Sequence, residues 1–280
     1  PGVAFLIIIN SKIRPRIGLG DKAKGDIILK AVCVIPSRYA SVRLPGKPLV
    51  EICGKPLIQW VYEQAVKATR FDRVIVATDD TRIREAVGAF GGEVVMSPPE
   101  LPTGSDRVAR VMEDLSLDHD VIMNLQGDEP LIDPADLDRL VACFEETPGI
   151  QMASLMAPLR EEDEVLDPNH VKCVVDRHGF ALYFSRHPIP FWRGREKADW
   201  TGHPADYWLH LGVYAFARST LKQYAGWPRS RLEISESLEQ LRALEHGVRI
   251  KMLTTPQPWP GVNTPEDVER VRQALEKIHG

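Results

Sequence analysis

The sequence has no surplus of charge of either sign: 35 Lys and Arg stand against 39 Asp and Glu in 280 residues, a formal net charge of −4. Proteins that bind nucleic acid through its phosphates use a basic excess to release counterions, so that class is disfavoured. Long apolar runs are also missing. The longest near the start, Val3 to Ile9, covers seven positions, far short of the roughly 18 that a membrane span needs. No basic segment precedes it and its charges follow it (Lys12, Arg14, Arg16), the reverse of a secretory signal. Cysteine is scarce: Cys33, Cys53, Cys143 and Cys173 are scattered, with no C-x-x-C pair. They read as reduced, mostly buried thiols of a cytoplasmic protein. There is no P-loop, no G-x-S-x-G and no H-E-x-x-H, which leaves P-loop NTPase, α/β-hydrolase and zincin chemistry without support. No internal repeat or low-complexity tract occurs.

What is present is an ordinary globular composition, 44% hydrophobic and 26% charged, long enough for one large domain or two unequal ones. The chain begins with Pro1, and residues 1–29 are expected to be a leader, tag or misassigned start outside the fold. From Ala31 onward, short β-rich runs alternate with helical periodicity. Strands are expected at Ala31–Ile35, Val74–Ala77, Val94–Met96 and Val121–Leu125, with helices at Leu57–Val66, Ile83–Phe90 and Asp106–Leu115. This is the pattern of a mostly parallel sheet flanked by helices. After Pro148 it loosens: strand-like runs at Met152–Met156, Val171–Val175, Ala181–Phe184 and Leu211–Phe216 come without regular helices between them, suggesting a mixed sheet or an added hairpin layer. A single amphipathic helix is expected over Leu232–Leu244, a strand at Arg249–Leu253, a helix at Pro265–Ile278 and an exposed loop at Phe191–Asp206.

In sheets of this kind ligands bind beyond the carboxyl ends of the strands. After the first strand comes Pro36-Ser37-Arg38-Tyr39-Ala40-Ser41-Val42-Arg43-Leu44-Pro45-Gly46-Lys47-Pro48-Leu49. Between Arg38 and Lys47 it holds three fixed cations and no acid, inside a net-negative chain. A basic loop can be merely solvated, but at a strand end, with Gly and Pro fixing its path, it suits a polyphosphate. After the fourth strand comes Gln126-Gly127-Asp128-Glu129-Pro130. Its dipeptides are ordinary turn formers, yet Asp128 beside a basic loop is placed to hold Mg²⁺ against substrate phosphates. A metal carboxylate together with an Arg/Lys cradle is what nucleotidyl transfer requires. The dinucleotide-like Gly18-x-Gly20-x-x-Ala23 has neither a strand before it nor a helix after it, so an NAD-dependent oxidoreductase is disfavoured.

Six ordered motifs carry a resemblance: Arg38 to Leu49, Gln126 to Pro130, Ala181-Leu182-Tyr183-Phe184-Ser185-Arg186, His210-Leu211-Gly212-Val213-Tyr214, Leu238-Glu239-Gln240-Leu241-Arg242, and Gly261-Val262-Asn263-Thr264-Pro265-Glu266-Asp267. From about Lys30 to the C-terminus the chain resembles the 3-deoxy-manno-octulosonate (Kdo) cytidylyltransferases. The first two motifs alone also admit the wider sugar-nucleotide cytidylyltransferases, including the CMP-sialate enzymes. The resemblance implies a three-layer α/β nucleotide-binding sheet with an inserted mixed-sheet portion at about 150–225 for sugar binding and dimerisation. It implies a homodimer that transfers CMP from CTP to a Kdo-type sugar acid for lipopolysaccharide assembly, with no nucleic-acid partner and no membrane insertion. Carried over by position, Arg38, Arg43, Lys47 and Arg107 bind the nucleotide, and Arg43, Lys47 and Asp128 are catalytic. Gln126, Arg186, His210, Tyr214, Glu239 and Gln240 line the sugar pocket, with Arg186 and His210 suited to its carboxylate and hydroxyls. Asp128 and position 263 hold Mg²⁺.

Two positions depart from the family pattern. Asn263 replaces the usual second metal carboxylate, keeping a carbonyl oxygen but losing a charge, and Pro102 stands where a polar residue is common. Asn263 raises two alternatives: a related acceptor such as the 8-amino analogue of Kdo, or a non-catalytic CTP-binding homologue.

Overall fold

The computed structural model describes residues 29–41, 43–191, 193 and 207–279. The Gly18 fingerprint, nearly all of the expected leader and most of the expected loop 191–206 lie outside the described residues. The chain divides into two units, one formed by residues up to Glu146 together with Trp259 onward, the other by Thr147–Pro258.

In the first unit β1 (Ala31–Ser37) is buried along its whole length. The chain continues through a hairpin, β2 (Glu51–Ile52) and β3 (Lys55–Pro56), to α1 (Leu57–Lys67), β4 (Arg73–Thr78), α2 (Thr81–Ala89) and β5 (Glu93–Met96). It then runs through α3 (Gly104–Asp114), β6 (Val121–Asn124) and α4 (Pro134–Glu146). The strands lie in the order β6-β1-β4-β5, all parallel, with Val34 beside Asn124 and Ser37 beside Thr78. Their carboxyl ends therefore line up, so Arg38, Asp79, Ser97 and Gln126 all follow strands along one edge. Sequence-local chemistry sets the helix starts: Asp80 caps α2 by accepting from Arg82 N at 2.9 Å, and the Thr103 hydroxyl caps α3 by accepting from Asp106 N at 3.2 Å. The sequence reading passes over α4.

The second unit runs beyond residue 225, to Pro258. It holds β7 (Met152–Pro158), α5 (Glu162–Leu166), β8 (Lys172–Val175), β9 (Ala181–Ser185) and β10 (Trp208–Ala217). After these come α6 (Arg218–Gly226), α7 (Arg231–Glu236), α8 (Gln240–Glu245) and β11 (Ile250–Thr254). Its sheet is mixed, as expected: β7 is parallel to β11 and antiparallel to β10, while β8 is antiparallel to both β10 and β9. The expected helix over Leu232–Leu244 is broken. Ser237 adopts a left-handed conformation (φ 53°, ψ 47°) that ends α7, Leu238 N bonds back to Glu233 O at 3.2 Å, and α8 starts anew at Gln240. The short α5 and the helix α6 are also additions to the sequence reading.

A last helix, α9 (Pro265–His279), belongs to the first unit. Val271 and Leu275 on it pack with Ile52, Leu57, Trp60 and Val262 in a buried cluster. That cluster anchors the Gly261-Val262-Asn263 segment, and Val262 N donates to the Asp128 carbonyl at 2.9 Å. None of the four cysteines is in a disulfide, and burial pushes the Cys173 thiol up to about 12. Among the described residues no helix is long and apolar enough to cross a membrane.

Candidate functional site

Each unit carries part of the expected constellation. In the first, the loop after β1 closes on itself: Ser41 N and Gly46 N both donate to the Tyr39 carbonyl, at 3.0 and 3.1 Å. Gly46 sits at φ 69°, and a Cβ there would lie 3.0 Å from the Tyr39 hydroxyl, so this turn requires glycine. The Arg82 guanidinium covers the Tyr39 ring at 3.3 Å and is itself held by Asp80. Within this frame Arg43 Nη2 donates to Asn263 Oδ1 at 3.0 Å, and Lys47 Nζ pairs with Asp128 Oδ2 at 2.5 Å.

Arg107, on α3, has no exposed surface. Its Nη2 donates to Asp79 at 3.0 Å and its Nη1 to the Ser97 hydroxyl. Burial presses its pKa down; Asp79 raises it again and Arg38 opposes. Arg107 Nε and Arg38 Nη2 are both buried and lack a hydrogen-bond partner. Two neighbouring cations with orphaned N–H groups cost free energy unless an anion satisfies them. This corner of the first unit is built for a multiply charged oxyanion.

Beside it, Gln126 Nε2 donates to Asn124 Oδ1 at 3.3 Å, and Asn124 Nδ2 to the Ser105 hydroxyl at 3.0 Å. A Cβ on Gly104 would lie 3.3 Å from Gln126 Nε2, so the start of α3 runs close under that amide. Glu129 carries a carboxyl whose pKa is raised well above the ordinary value by burial and then by Asp128. The sequence reading passes over Glu129, although it stands inside the Gln126 to Pro130 motif. It also passes over Asp79 and Ser97, whose positions just after β4 and β5 are the available signal.

The donors at 128 and 263 are a carboxylate and an amide carbonyl, both hard oxygens. The described residues contain no cluster of three or more His, Cys, Asp or Glu suited to a metal. Hard oxygens are the donor type Mg²⁺ takes, commonly one or two from protein with the other ligands from water and substrate phosphates.

In the second unit His210, Tyr214 and Gln240 come together, all buried. The Tyr214 hydroxyl donates to Gln240 Oε1 at 3.0 Å, and Gln240 Nε2 meets His210 Nδ1 at 3.3 Å. His210 Nε2 lies 3.0 Å from Ser154 Oγ, whose own proton goes to the Val213 carbonyl at 2.7 Å. The donors assign one polarity to the whole chain: Nδ1 accepts and Nε2–H donates. Burial lowers the His210 pKa from 6.5 to about 3 and raises that of Tyr214 well above its ordinary value. Of the two residues expected to meet a carboxylate and hydroxyls, His210 is therefore neutral, and the positive charge rests on Arg186 alone.

Arg186 is held by backbone carbonyls: Nε by Glu236 O at 2.7 Å, Nη1 by Pro168 O at 3.0 Å and Nη2 by Ser237 O at 3.4 Å. Gln240 is not on a solvated helix face; it opens α8 with 1% of its surface exposed. Glu239 immediately precedes α8, and its carbonyl accepts from the Tyr224 hydroxyl at 3.1 Å. Ser154 was invisible in the sequence, being a small residue within an apolar strand.

Residues 32–250 match the family model described as cytidylyltransferase. The chain is 43% identical over 254 residues to the 3-deoxy-manno-octulosonate cytidylyltransferase of Trichlorobacter lovleyi, covering 89% of this chain and 100% of that protein. It is 48% identical over 242 residues to the 8-amino-3,8-dideoxy-manno-octulosonate cytidylyltransferase of Shewanella woodyi, covering 86% and 96%. Among solved structures it is similar to a CMP:2-keto-3-deoxy-manno-octonic acid synthetase complexed with CTP, with TM-score 0.81, 42% identity, and 89% and 99% of the two chains covered.

Proposed function

This chain belongs to the cytidylyltransferase family, and from that premise we propose the following division of labour among its residues. The enzyme is a Kdo cytidylyltransferase: it transfers CMP from CTP to 3-deoxy-manno-octulosonate, giving CMP-Kdo. The anomeric hydroxyl oxygen bonds to the α-phosphorus and gives up its proton to solvent, the bond to the bridging oxygen of the β-phosphate breaks, and pyrophosphate leaves with that oxygen.

The observation that carries the assignment is the pair of buried, unsatisfied guanidinium N–H groups on Arg38 and Arg107. They are a preformed demand for the triphosphate, to which Arg43 and Lys47 add charge from the clamped loop. Lys47 and Asp128 neutralise each other in this structure; with CTP bound, Lys47 turns to phosphate oxygens. Mg²⁺ held by Asp128 and the Asn263 carbonyl would supply charge neutralisation at those oxygens. In the second unit Arg186 takes the sugar carboxylate, and the neutral Tyr214-Gln240-His210 chain fixes donors and acceptors for hydroxyls, with Glu239 beside it. We place the enzyme in the cytoplasm, as a homodimer serving lipopolysaccharide assembly.

Relatives acting on Kdo and on its 8-amino analogue are both similar to this chain. Pyrophosphate release from CTP, measured with Kdo, the 8-amino analogue and sialic acid, is the test. The expected order of kcat/KM is Kdo first and sialic acid last. A higher value with the 8-amino analogue would reassign the acceptor, and CTP binding without pyrophosphate release with any of the acids would overturn the enzymatic reading.

A further inference from the structure

The Arg186 guanidinium is oriented entirely by neutral oxygens, those of Glu236, Pro168 and Ser237. Carbonyls fix a guanidinium without cancelling its charge, and the N–H bonds left over on its terminal nitrogens can meet a carboxylate. An acid placed to tie down the segments that carry these carbonyls, without capturing the guanidinium, would hold that arrangement. Glu236, the last residue of α7, fits that description.

The Glu236 carboxylate accepts from the Ser185 hydroxyl at 2.7 Å through one oxygen and from the Arg186 backbone N–H at 2.9 Å through the other. Its backbone carbonyl meanwhile takes Arg186 Nε. One residue thus grips the end of β9 with its side chain and aims the arginine with its main chain. It also stands directly before Ser237, whose left-handed turn places Leu238, Glu239 and Gln240. Lys172 has no exposed surface: its pKa is lowered by burial, with Asp167 raising it, Arg186 lowering it and Glu236 raising it less. Its Nζ donates to the Asp167 carbonyl at 2.8 Å. The Glu236 carboxylate thus adds negative charge near Lys172 without hydrogen-bonding to its ammonium, while Arg186 Nε is held by the Glu236 main-chain carbonyl.

We propose that Glu236 is a positioning residue for the acceptor: it joins β9 to the α7–α8 turn so that Arg186 and Gln240 are set for the sugar acid, and leaves the Arg186 guanidinium open to it. This rests on the reading that Arg186 binds the sugar carboxylate. The test compares Glu236→Gln, Ser185→Ala and Arg186→Gln by steady-state kinetics in both substrates, with thermal unfolding of each variant.

Loss of charge-assisted hydrogen bonds predicts that Glu236→Gln raises KM for Kdo about tenfold or more while KM for CTP stays within about twofold. Ser185→Ala, which leaves the Arg186 N–H contact in place, gives a smaller rise of the same kind. An unchanged KM for Kdo in Glu236→Gln, with Arg186→Gln strongly impaired, overturns the proposal and leaves the acceptor site standing. Equal rises in both KM values with a lowered unfolding temperature would show Glu236 to be merely structural and also overturn it. If Arg186→Gln itself leaves KM for Kdo unchanged, the acceptor reading fails and the proposal with it.

Discussion

Replacing Glu233 with Gln should destabilise the second unit severely. Glu233 and Arg242 are each 1% exposed and form a two-point pair, with Arg242 Nε to Oε2 and Nη2 to Oε1, both at 2.8 Å. Each glutamate oxygen also accepts a further N–H: Arg229 Nε at 3.2 Å on Oε1 and Ser230 N at 3.1 Å on Oε2. Both oxygens thus face donors only, so an amide, whichever way it turns, points its NH₂ at N–H groups and leaves Arg242 without a buried counter-charge. Removing one partner of a buried pair costs about 3–5 kcal/mol, which in a chain of this size lowers the unfolding temperature by roughly 10 °C. Thermal and urea unfolding followed by circular dichroism measures it.

Two controls separate the mechanism from simple crowding. Arg229→Ala, which removes a half-exposed partner, should cost under about 1 kcal/mol. Glu233→Met with Arg242→Met should recover much of the loss, because it removes both charges together. The pH dependence has a sign as well. Burial raises the Glu233 pKa, but the Arg242 hydrogen bonds and charge outweigh it, so the folded value is below 4.5. The pair's contribution is present above the unfolded pKa and lost as pH falls through the lowered folded one, and Glu233→Gln should abolish that loss. A Glu233→Gln penalty below about 1 kcal/mol, or a double variant as unstable as the single one, refutes the reasoning.

The remaining predictions concern residues of each unit taken separately. His210, with its folded pKa near 3 against 6.5 in the ordinary state, binds no proton when folded between those values while the unfolded chain does. It therefore costs stability as pH falls below 6.5, by up to about 1.4 kcal/mol per pH unit. His210→Asn should flatten that slope in acid unfolding, and an unchanged slope would mean that the histidine is not buried neutral. Asn263→Asp restores a carboxylate and should lower the Mg²⁺ needed for half-maximal turnover; calorimetric titration of Mg²⁺ with CTP present reads the same change without turnover, and equal requirements in both proteins would sink it. Gly46→Ala forces a side chain into the left-handed region and against Tyr39; the cost of about 1 kcal/mol should raise KM for CTP about fivefold and leave KM for Kdo alone.

The parallel sheet was legible because β1 and β6 are unbroken apolar runs that end abruptly in polar residues, and helices between them repeat at helical spacing. The same contrast marked Arg38 and Asp128. The α7–α8 break was not legible: Ser237 takes the left-handed turn that glycine usually signals, and the helical spacing of Ile234, Leu238 and Leu241, four and three residues apart, continues across it. Gln240 suffers for the same reason, since on one long helix it reads as solvated and on α8 it is buried. Ser154 and Glu236 have no local signature. Their roles are set by cross-strand and strand–helix contacts between residues about 50 positions apart, and no spacing rule spans that distance.

On the proposed assignment, the two units solve different recognition problems with different electrostatics. A triphosphate offers several charges, and the first unit answers with Arg38, Arg43, Lys47 and Arg107, leaving buried N–H groups unsatisfied on two of them. Such a site is costly when empty and favours binding through charge, so its affinity for CTP should fall with added salt. A sugar acid offers one charge and many hydroxyls, and charge alone would not tell it from other small acids. For the acceptor's charge the second unit is assigned one cation, the half-buried Arg186, and for its hydroxyls a buried chain in which every proton has an assigned direction, from Tyr214 to Val213. A neutral, fully paired network rejects groups of the wrong polarity because they would strand a buried donor or acceptor. Discrimination among acceptors should therefore respond to Tyr214→Phe and His210→Asn far more than to ionic strength, whereas CTP binding should show the opposite dependence.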